Sequence, residues 1–557
     1  RASADFLATQ PDPQLTTRLD GYIDRIAAAA AVDPDGYLNT YTTMKEPGHR
    51  WGANGGNDRW QHDLYNASAL VEAGVYYYRA TGKTKLLAVA SRQANLMAAT
   101  MGPPPKANLI PGHALGEESL VGLYELYRDQ PGLKARMPFP IDEKTYLALA
   151  QFWIDNRGHH AGRTNFGAYD QDEIPVADQT TIEGHAVRAT LLGSALVANA
   201  RINRPDYLPV AQRLWDNMVQ RKMYVTGGLG AIAGYEGFGP DYLLPNDGYV
   251  ETCAAVGAGF YHENLNLALG DAKYADELER VLYNGVLPGV SLAGNAYFYE
   301  NPLTATDKRE RWSWNACPCC PPMFLKIMGA LPGYIYAQDA TGITVNLFIG
   351  SHATIQLPGT RVKLVQTTEY PWQGKVQLLV NPEAATDFTL RVRVPAWCAA
   401  PQIRINGRRQ DSPARVRGYA TLTRRWQPGD RVELELPMPI QRIKANPAVT
   451  ADLGRIALQR GPLVYCVEGV DNGGLTAGLV LPATAKLQTA FKADQLNGVM
   501  VIQGQAIPAA AWAGGLYQAD ERWGTKPTVA FTAIPYFANA NRGRTWMQVW
   551  LPEAGNP

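Results

Sequence analysis

Two periodicities divide this chain. Up to about residue 335 apolar residues recur at the spacing of one helix face. They do so in "LTTRLDGYIDRIAAAAAV", "ASALVEAGVYYYRATG", "TKLLAVASRQANLMAATMG", "EKTYLALAQFWIDN", "HAVRATLLGSALVANARI" and "YLPVAQRLWDNMVQ". Several ends are legible: Gly82 follows a helix in "ATGK", and Pro205 and Asp206 precede the restart at "YLPV". Helix follows helix with no strand pattern between, which predicts antiparallel hairpins arranged as a solenoid or a closed toroid. The absence of a fixed-period repeat favours the closed α/α barrel, and about ten helices are expected. From about residue 340 the period becomes two, in "GITVNLFIG", "KVQLLV", "FTLRVRVPAW", "RVELELPM" and "RIALQRGPLVYCVEG", with turn clusters such as "NGRR" and "QPGD" between them. The expected architecture is multidomain: a helical barrel over residues 1–336, a β-sandwich over 337–445, and a second β-sandwich over 446–557, divided near "IKANPAV".

Charge narrows the partners. Lys+Arg number 52 against 51 Asp+Glu, so no basic excess exists to neutralise a phosphate backbone, and nucleic acid is not an expected partner. No uninterrupted apolar stretch approaches the ~20 residues of a membrane span. The opening "RASADFLATQPDPQ" lacks the zones of a signal peptide. With 13 Trp and 28 Tyr the chain is rich in flat, hydrogen-bonding rings, which suit sugar stacking or an aromatic core.

The densest chemistry is "NACPCCPP", residues 315–322, where Cys317, Cys319 and Cys320 fall within four positions. Three readings compete. Structural disulfides would need partners at Cys253, Cys398 and Cys466, and a chain of this size needs no such staples. A thiolate metal site fits zinc, but without the C-x₂-C spacing of a knuckle it must borrow ligands from elsewhere. "YVETCAAVGAGFYHENL" offers Glu251 and Cys253, two apart, whose side chains share a face in extended chain. The third reading is a reactive thiolate. Pro321 and Pro322 suit the first turn of a helix, which puts Cys319 and Cys320 at a positive helix end.

A long irregular stretch, "YVTGGLGAIAGYEGFGPDYLLPNDGYVETCA", holds Glu236, Asp241, Asp247 and Glu251 and reads as a functional loop. A glycosidase needs a general acid, and Tyr235 and Phe238 beside Glu236 predict apolar surroundings that raise its pKa. The bland alternative is an exposed loop charge. His62, His113 and His185 each stand near a predicted helix start, where a histidine serves either a site or a cap.

Ten stretches in order resemble glycoside hydrolase family 127, the β-L-arabinofuranosidases and their relatives. Among them are "DPDGYLNTYTT", "EGHAVRATLL", "YVTGGLGA", "YVETCA", "CPCCPPMFLKIMGALPGYIYA" and "IPYFANANRGRTWMQVWLP". The resemblance runs from about residue 10 to the C-terminus. It implies an (α/α)6 barrel followed by two β-sandwiches, and Zn2+ held by Glu251, Cys253, Cys319 and Cys320. It also implies Cys319 as both ligand and nucleophile, Glu236 as acid/base, and a sugar pocket lined by His62, His185 and Tyr299. The implied reaction is retaining exo-hydrolysis of β-L-arabinofuranosides of plant cell-wall glycans through a glycosyl thioether. The alternatives are the same machinery on an acidic or deoxy pectin sugar, and a carbohydrate-binding protein with structural zinc. Because plant glycans lie outside cells, a periplasmic or extracellular location is favoured over a cytoplasmic one.

Three positions depart from the family pattern. Asp63 replaces a glutamate, Ala69 stands where a histidine is usual, and Met323 takes the place of an asparagine. All three are expected to lie near the site and to bear on which sugar is recognised. The chain also opens inside what resembles an early barrel helix, so ten helices stand against the twelve the family implies.

Overall fold

The computed structural model describes residues 1–55, 62–411, 413–474, 478–508, 516 and 527–554. Helices occupy the first part. In chain order they are α1 (Ala2–Thr9), α2 (Pro13–Val32), α3 (Thr40–Lys45), α4 (Asp63–Thr81), α5 (Lys85–Thr100), α6 (Gly116–Asp129), α7 (Glu143–Asp155), α8 (Ala186–Ala200), α9 (Tyr207–Asn217), α10 (Thr252–Leu269), α11 (Ala272–Val281) and α12 (Cys320–Ala330). Local chemistry sets many ends. Asp12 caps α2 by accepting from the Leu15 amide, with Pro13 at the first position. Gly82 and Gly270 close α4 and α10 in left-handed conformation.

Packing sorts the helices into two sets. α1, α4, α6, α8, α10 and α12 each touch the next, and α12 returns to α1. α5, α7, α9 and α11 lie against α4, α6, α8 and α10, while α2 reaches α5. α8 is buried from Ala186 to Asn199, so its sequence shows no polar stripe. α8 and α10 approach closely because Gly193 faces the Tyr261 ring and Gly257 faces Thr190; a Cβ at either would sit 2.3 or 2.2 Å from those side chains.

Beyond Tyr336 the chain is β-structure. A five-stranded sheet and a six-stranded sheet contribute alternate residues, such as Val345, Leu390, Leu364 and Leu434, to one apolar cluster between them. The C-terminal region departs from two open facing sheets. Strands Arg455–Arg460 and Leu463–Glu468 pair with each other. They also belong to a path through Val529–Pro535, Val499–Pro508, Leu479–Pro482 and Leu551–Ala554. Six strands therefore ring a core that includes Ile456, Leu463, Leu481, Ile502 and Phe531. This closure needs Arg455–Arg460 to pair along both edges, which alternation within single strands does not reveal.

That region also braces the helical part. Thr304–Ala305 pairs with Met547–Gln548. The Tyr536 hydroxyl donates to the Asn301 and Pro302 carbonyls at 2.8 and 2.9 Å. Arg311 reaches the Asn539 carbonyl at 2.8 Å. The loop leading to the cysteine triplet is thus fixed from behind.

Candidate active site

Helix starts build the site. His62, His185, Glu251 and Cys319 are the N-cap residues of α4, α8, α10 and α12, and His113 precedes the start of α6. Each of these ends carries a partial positive charge, so their convergence favours anionic groups such as a thiolate or a carboxylate.

Glu251, Cys253, Cys319 and Cys320 come together with ligand atoms all within 4.8 Å of one another. The sulfur separations are 3.5 Å (Cys253–Cys319), 3.4 Å (Cys253–Cys320) and 3.8 Å (Cys319–Cys320), and Glu251 Oε1 lies 3.8 Å from Cys319 Sγ. A disulfide needs ~2.05 Å, whereas a tetrahedron with Zn–S bonds of ~2.3 Å has edges of about 3.8 Å. The spacing matches the tetrahedron. Glu251 Oε2 is buried without a hydrogen-bond partner, as expected of an atom reserved for a cation. Cys398 and Cys466 lie in separate β-domain clusters, and all six cysteines are free, which removes the disulfide reading.

With no cation the cluster resists charge. Burial, then the Cys319 charge, push the Glu251 carboxyl up. Burial raises the Cys253 thiol, while hydrogen bonds from Cys253 and Cys320 hold Cys319 well below the ordinary thiol range. One thiolate is stabilised by its neighbours' protons; a divalent cation would take over that role. Cys319 is the one thiol of the four-residue cluster that is not fully buried, and the Tyr299 hydroxyl lies 3.2 Å from its sulfur.

Glu236 lies beside the cluster, with a carboxylate oxygen within 4.8 Å of one on Glu251. His185 Nε2 donates to its Oε2 at 2.9 Å, and the Tyr249 hydroxyl donates to its Oε1 at 2.8 Å. Its side chain is 36% exposed while Glu251 is 2% exposed, so Glu236 is the carboxylate a substrate can reach. The apolar surroundings expected from sequence are absent. Tyr235 is turned away, with its hydroxyl bonded to the Phe238 carbonyl, and Phe238 is buried elsewhere in the core. The His185 hydrogen bond, with burial opposing it and Tyr249 adding to it, holds the Glu236 carboxyl below its ordinary value rather than above.

His185, Glu236 and Glu251 also lie close enough to suggest a second metal group. The histidine argues against it. Its Nδ1 accepts from the Arg188 amide at 3.4 Å, which leaves the proton on Nε2, facing Glu236. A metal on Nε2 would drive that proton to Nδ1, against another N–H. His185 is therefore a donor to Glu236.

The three histidines form a row. His62 and His113 stand 5.1 Å apart, His113 and His185 5.5 Å, with Tyr65 stacked on His113 at 4.4 Å. Burial lowers all three, His62 to about 4, with the Arg188 charge adding to the effect, so the row is neutral near pH 7. Arg188 itself is bound to Asp170.

Tyr299 is placed by the first turn of α10. The Thr252 amide donates to its carbonyl at 2.9 Å and the Thr252 hydroxyl to the Phe298 carbonyl at 2.9 Å. Glu251 and Cys253 converge for a reason other than the one expected: Glu251 is an N-cap and Cys253 lies in the first helical turn, not in extended chain. His62, Glu236 and Val250 all have positive φ (56°, 55° and 49°), a concentration of strain typical of functional sites.

The variant positions fall out differently. Ala69 is exposed on α4, one helical turn after Tyr65 and on the same face. Met323 is buried beside Cys320 in one apolar cluster. Asp63 faces inward but serves a loop, accepting from Tyr37, Asn39, Thr42 and the Trp51 amide. Tyr249 is the residue that sequence reasoning missed. The signal was present, two residues before Glu251, but nothing linear ties it to Glu236.

The chain resembles known glycoside hydrolases along its length. Residues 1–333 match the β-L-arabinofuranosidase GH127 catalytic domain, 342–438 the GH127 middle domain, and 440–552 the glycoside hydrolase family 127 C-terminal domain. A non-reducing end β-L-arabinofuranosidase of Bifidobacterium longum subsp. longum is 33% identical, over 98% of this chain and 87% of that protein. A GH127 β-L-arabinofuranosidase structure from Geobacillus stearothermophilus T6 superposes with TM-score 0.91 at 40% identity, covering 99% of this chain and 89% of the other. A second GH127 β-arabinofuranosidase structure gives 0.90 at 34%, covering 100% and 88%. Matched along all three of its parts and nearly end to end in structure, this chain belongs to glycoside hydrolase family 127.

Proposed function

We propose that this glycosidase releases β-L-arabinofuranose from the non-reducing ends of plant cell-wall glycans with retention of configuration, using Cys319 as nucleophile and Glu236 as acid/base. The observation that carries the reading is the pairing of a partly exposed, ionisable sulfur with a partly exposed carboxylate held by two donors. The name of the Bifidobacterium relative supports the sugar. The ring of contacts from α1 through α4, α6, α8 and α10 to α12 and back supports an (α/α)6 barrel around the site.

Zinc is the ion the O,S,S,S donor set and its spacing favour, held by Glu251, Cys253, Cys319 and Cys320. When bound it would keep the Cys319 sulfur ionised and aimed. The Cys319 thiolate attacks the anomeric carbon as the bond to the leaving oxygen breaks, and that oxygen takes a proton from the Glu236 carboxyl. A glycosyl thioether results. Water then attacks the same carbon, gives a proton to Glu236 and returns the bonding pair to sulfur. Two inversions leave the configuration retained. Tyr299 donates to the sulfur in its anionic form, His185 holds Glu236, and His62 and His113 offer neutral hydrogen-bonding edges to hydroxyl groups.

Electrostatics favour a neutral sugar over an acidic one. Among the described residues, no side chain in contact with Glu236 or the three sulfurs carries a positive charge, so a substrate carboxylate would face Glu236 without a counter-ion.

The test is sugar release from a synthetic panel led by a β-L-arabinofuranoside, for the parent, Cys319→Ser and Glu236→Gln, with zinc content measured for each. Release by the parent, loss in both variants, and zinc retained by Glu236→Gln is the expected result. A zinc-loaded parent that leaves that furanoside intact would overturn the substrate assignment.

A further inference from the structure

We infer that Tyr249 is a positioning residue for the acid/base carboxylate, held to that task by the strained residue beside it. The inference rests on the catalytic reading above.

The Glu236 carboxyl has little else to hold it. Glu236 occupies a left-handed position in an irregular loop with over a third of its side chain exposed. Its two oxygens each receive one donor, His185 at Oε2 and Tyr249 at Oε1. One bond alone would leave the carboxyl free to pivot about that contact; two fix its plane. His185 enters from α8, and Tyr249 from the segment leading into α10, so the carboxylate is clamped between two elements.

Tyr249 is itself well anchored. Its ring is 8% exposed and lies 6.0 Å from the Tyr299 ring, whose hydroxyl meets Cys319. The two phenols thereby connect the carboxylate to the nucleophilic sulfur through packed side chains. Val250 follows with φ 49°, a conformation that a β-branched residue rarely accepts. It is pinned on both sides: its amide donates to the Gly230 carbonyl at 2.7 Å, and its carbonyl accepts from Asn301 at 2.9 Å. Gly228 leaves the room its side chain needs, since a Cβ there would lie 2.2 Å from Val250 Cγ1. This left-handed kink lets Tyr249 bond Glu236 while Glu251, two residues on, caps α10 and joins the sulfur cluster. One short segment serves both halves of the site.

Leaving-group dependence separates positioning of the acid from general support of the fold. Proton donation matters when the departing oxygen is a poor leaving group and hardly at all when it is a nitrophenolate. Tyr249→Phe removes one hydroxyl and keeps the ring. We expect its kcat/KM on an alkyl β-L-arabinofuranoside to fall roughly 10–100-fold, with p-nitrophenyl β-L-arabinofuranoside much less affected and zinc content and Tm at the parent values. Glu236→Gln, run alongside, should show the same ordering more strongly. An equal fall on both substrates, or none on the alkyl glycoside, overturns the role of Tyr249 provided Glu236→Gln shows the ordering. If Glu236→Gln lacks it too, or the parent cleaves neither substrate, the catalytic reading fails and this inference with it.

Discussion

Replacing Asp63 by alanine should unlatch the segment before α4 without melting the helical domain. The Asp63 side chain is 1% exposed and accepts four hydrogen bonds: from the Tyr37 hydroxyl at 2.5 Å, Asn39 Nδ2 at 3.0 Å, the Thr42 hydroxyl at 2.8 Å and the Trp51 amide at 2.8 Å. Removing the acceptor leaves four buried donors, each costing ~1–3 kcal/mol if it stays buried. The sum, roughly 4–12 kcal/mol, rivals the stability of a whole domain. A cheaper route exists. The segment can swing out, giving up mainly the burial of Tyr37 and Trp51, which are 2% and 7% exposed and worth roughly 1.5–3 kcal/mol each. The expected loss is therefore about 3–6 kcal/mol of local stability, which speeds amide exchange over residues 37–51 by roughly 10²–10⁴-fold. Asp63→Asn keeps one acceptor oxygen and should fall midway. Hydrogen–deuterium exchange with peptide resolution reads this directly, with α8 as the internal reference. kcat/KM should fall too, because His62 is the residue next to Asp63. Exchange over 37–51 within tenfold of the parent in Asp63→Ala would refute the argument that this carboxylate holds the loop.

If the proposed zinc site is right, Cys253→Ala should bind no zinc and have a lower Tm, whereas Cys317→Ser should bind zinc as the parent does, because Cys317 is exposed and outside the four-residue cluster; elemental analysis after gel filtration distinguishes them. Glu263 is 5% exposed with Oε2 unpartnered, and burial, partly offset by Arg201, pushes it up to about 8. The unfolded chain loses this proton near the usual 4.5 and the folded one only near 8. Stability from this group is thus intact below the lower value and falls as pH rises between them, by on the order of 3–5 kcal/mol. Glu263→Gln should flatten that decline in Tm measured from pH 5 to 8.5. Gly237→Ala should cost roughly 1–3 kcal/mol and most of the activity. The added Cβ would lie 2.2 Å from the Tyr235 ring and 2.4 Å from the Gly184 carbonyl, prying His185 from Glu236. Gly122→Ala, with nothing within 4 Å, should be neutral or gain about 0.5–1 kcal/mol; thermal unfolding checks both.

Sequence alone determined what is local or chemically unusual here. Apolar spacing marked the helices up to the cysteine triplet and the change to period two after it. Gly82 marked the end of α4, and Pro321 and Pro322 the first turn of α12. The Cys-x-Cys-Cys run and the Glu-Thr-Cys element advertised a metal site because few other reasons put so many ionisable sulfurs together. Tertiary structure alone decided how these pieces act. Whether Glu236 is a raised or a lowered acid depends on His185 and Tyr249, which approach from 51 and 13 residues away; its neighbours in sequence pointed the wrong way. Asp63 looked like a pocket residue on a line, yet packing gave its carboxylate to a loop. The ring of strands at the C-terminus was hidden for a related cause, since alternation fixes which face is buried but not which edges meet. Local preferences are written in spacing and residue type. The direction of a side chain's field, its partner and its access to solvent arise only when distant segments pack, and in this protein the proposed catalytic groups lie where those segments meet.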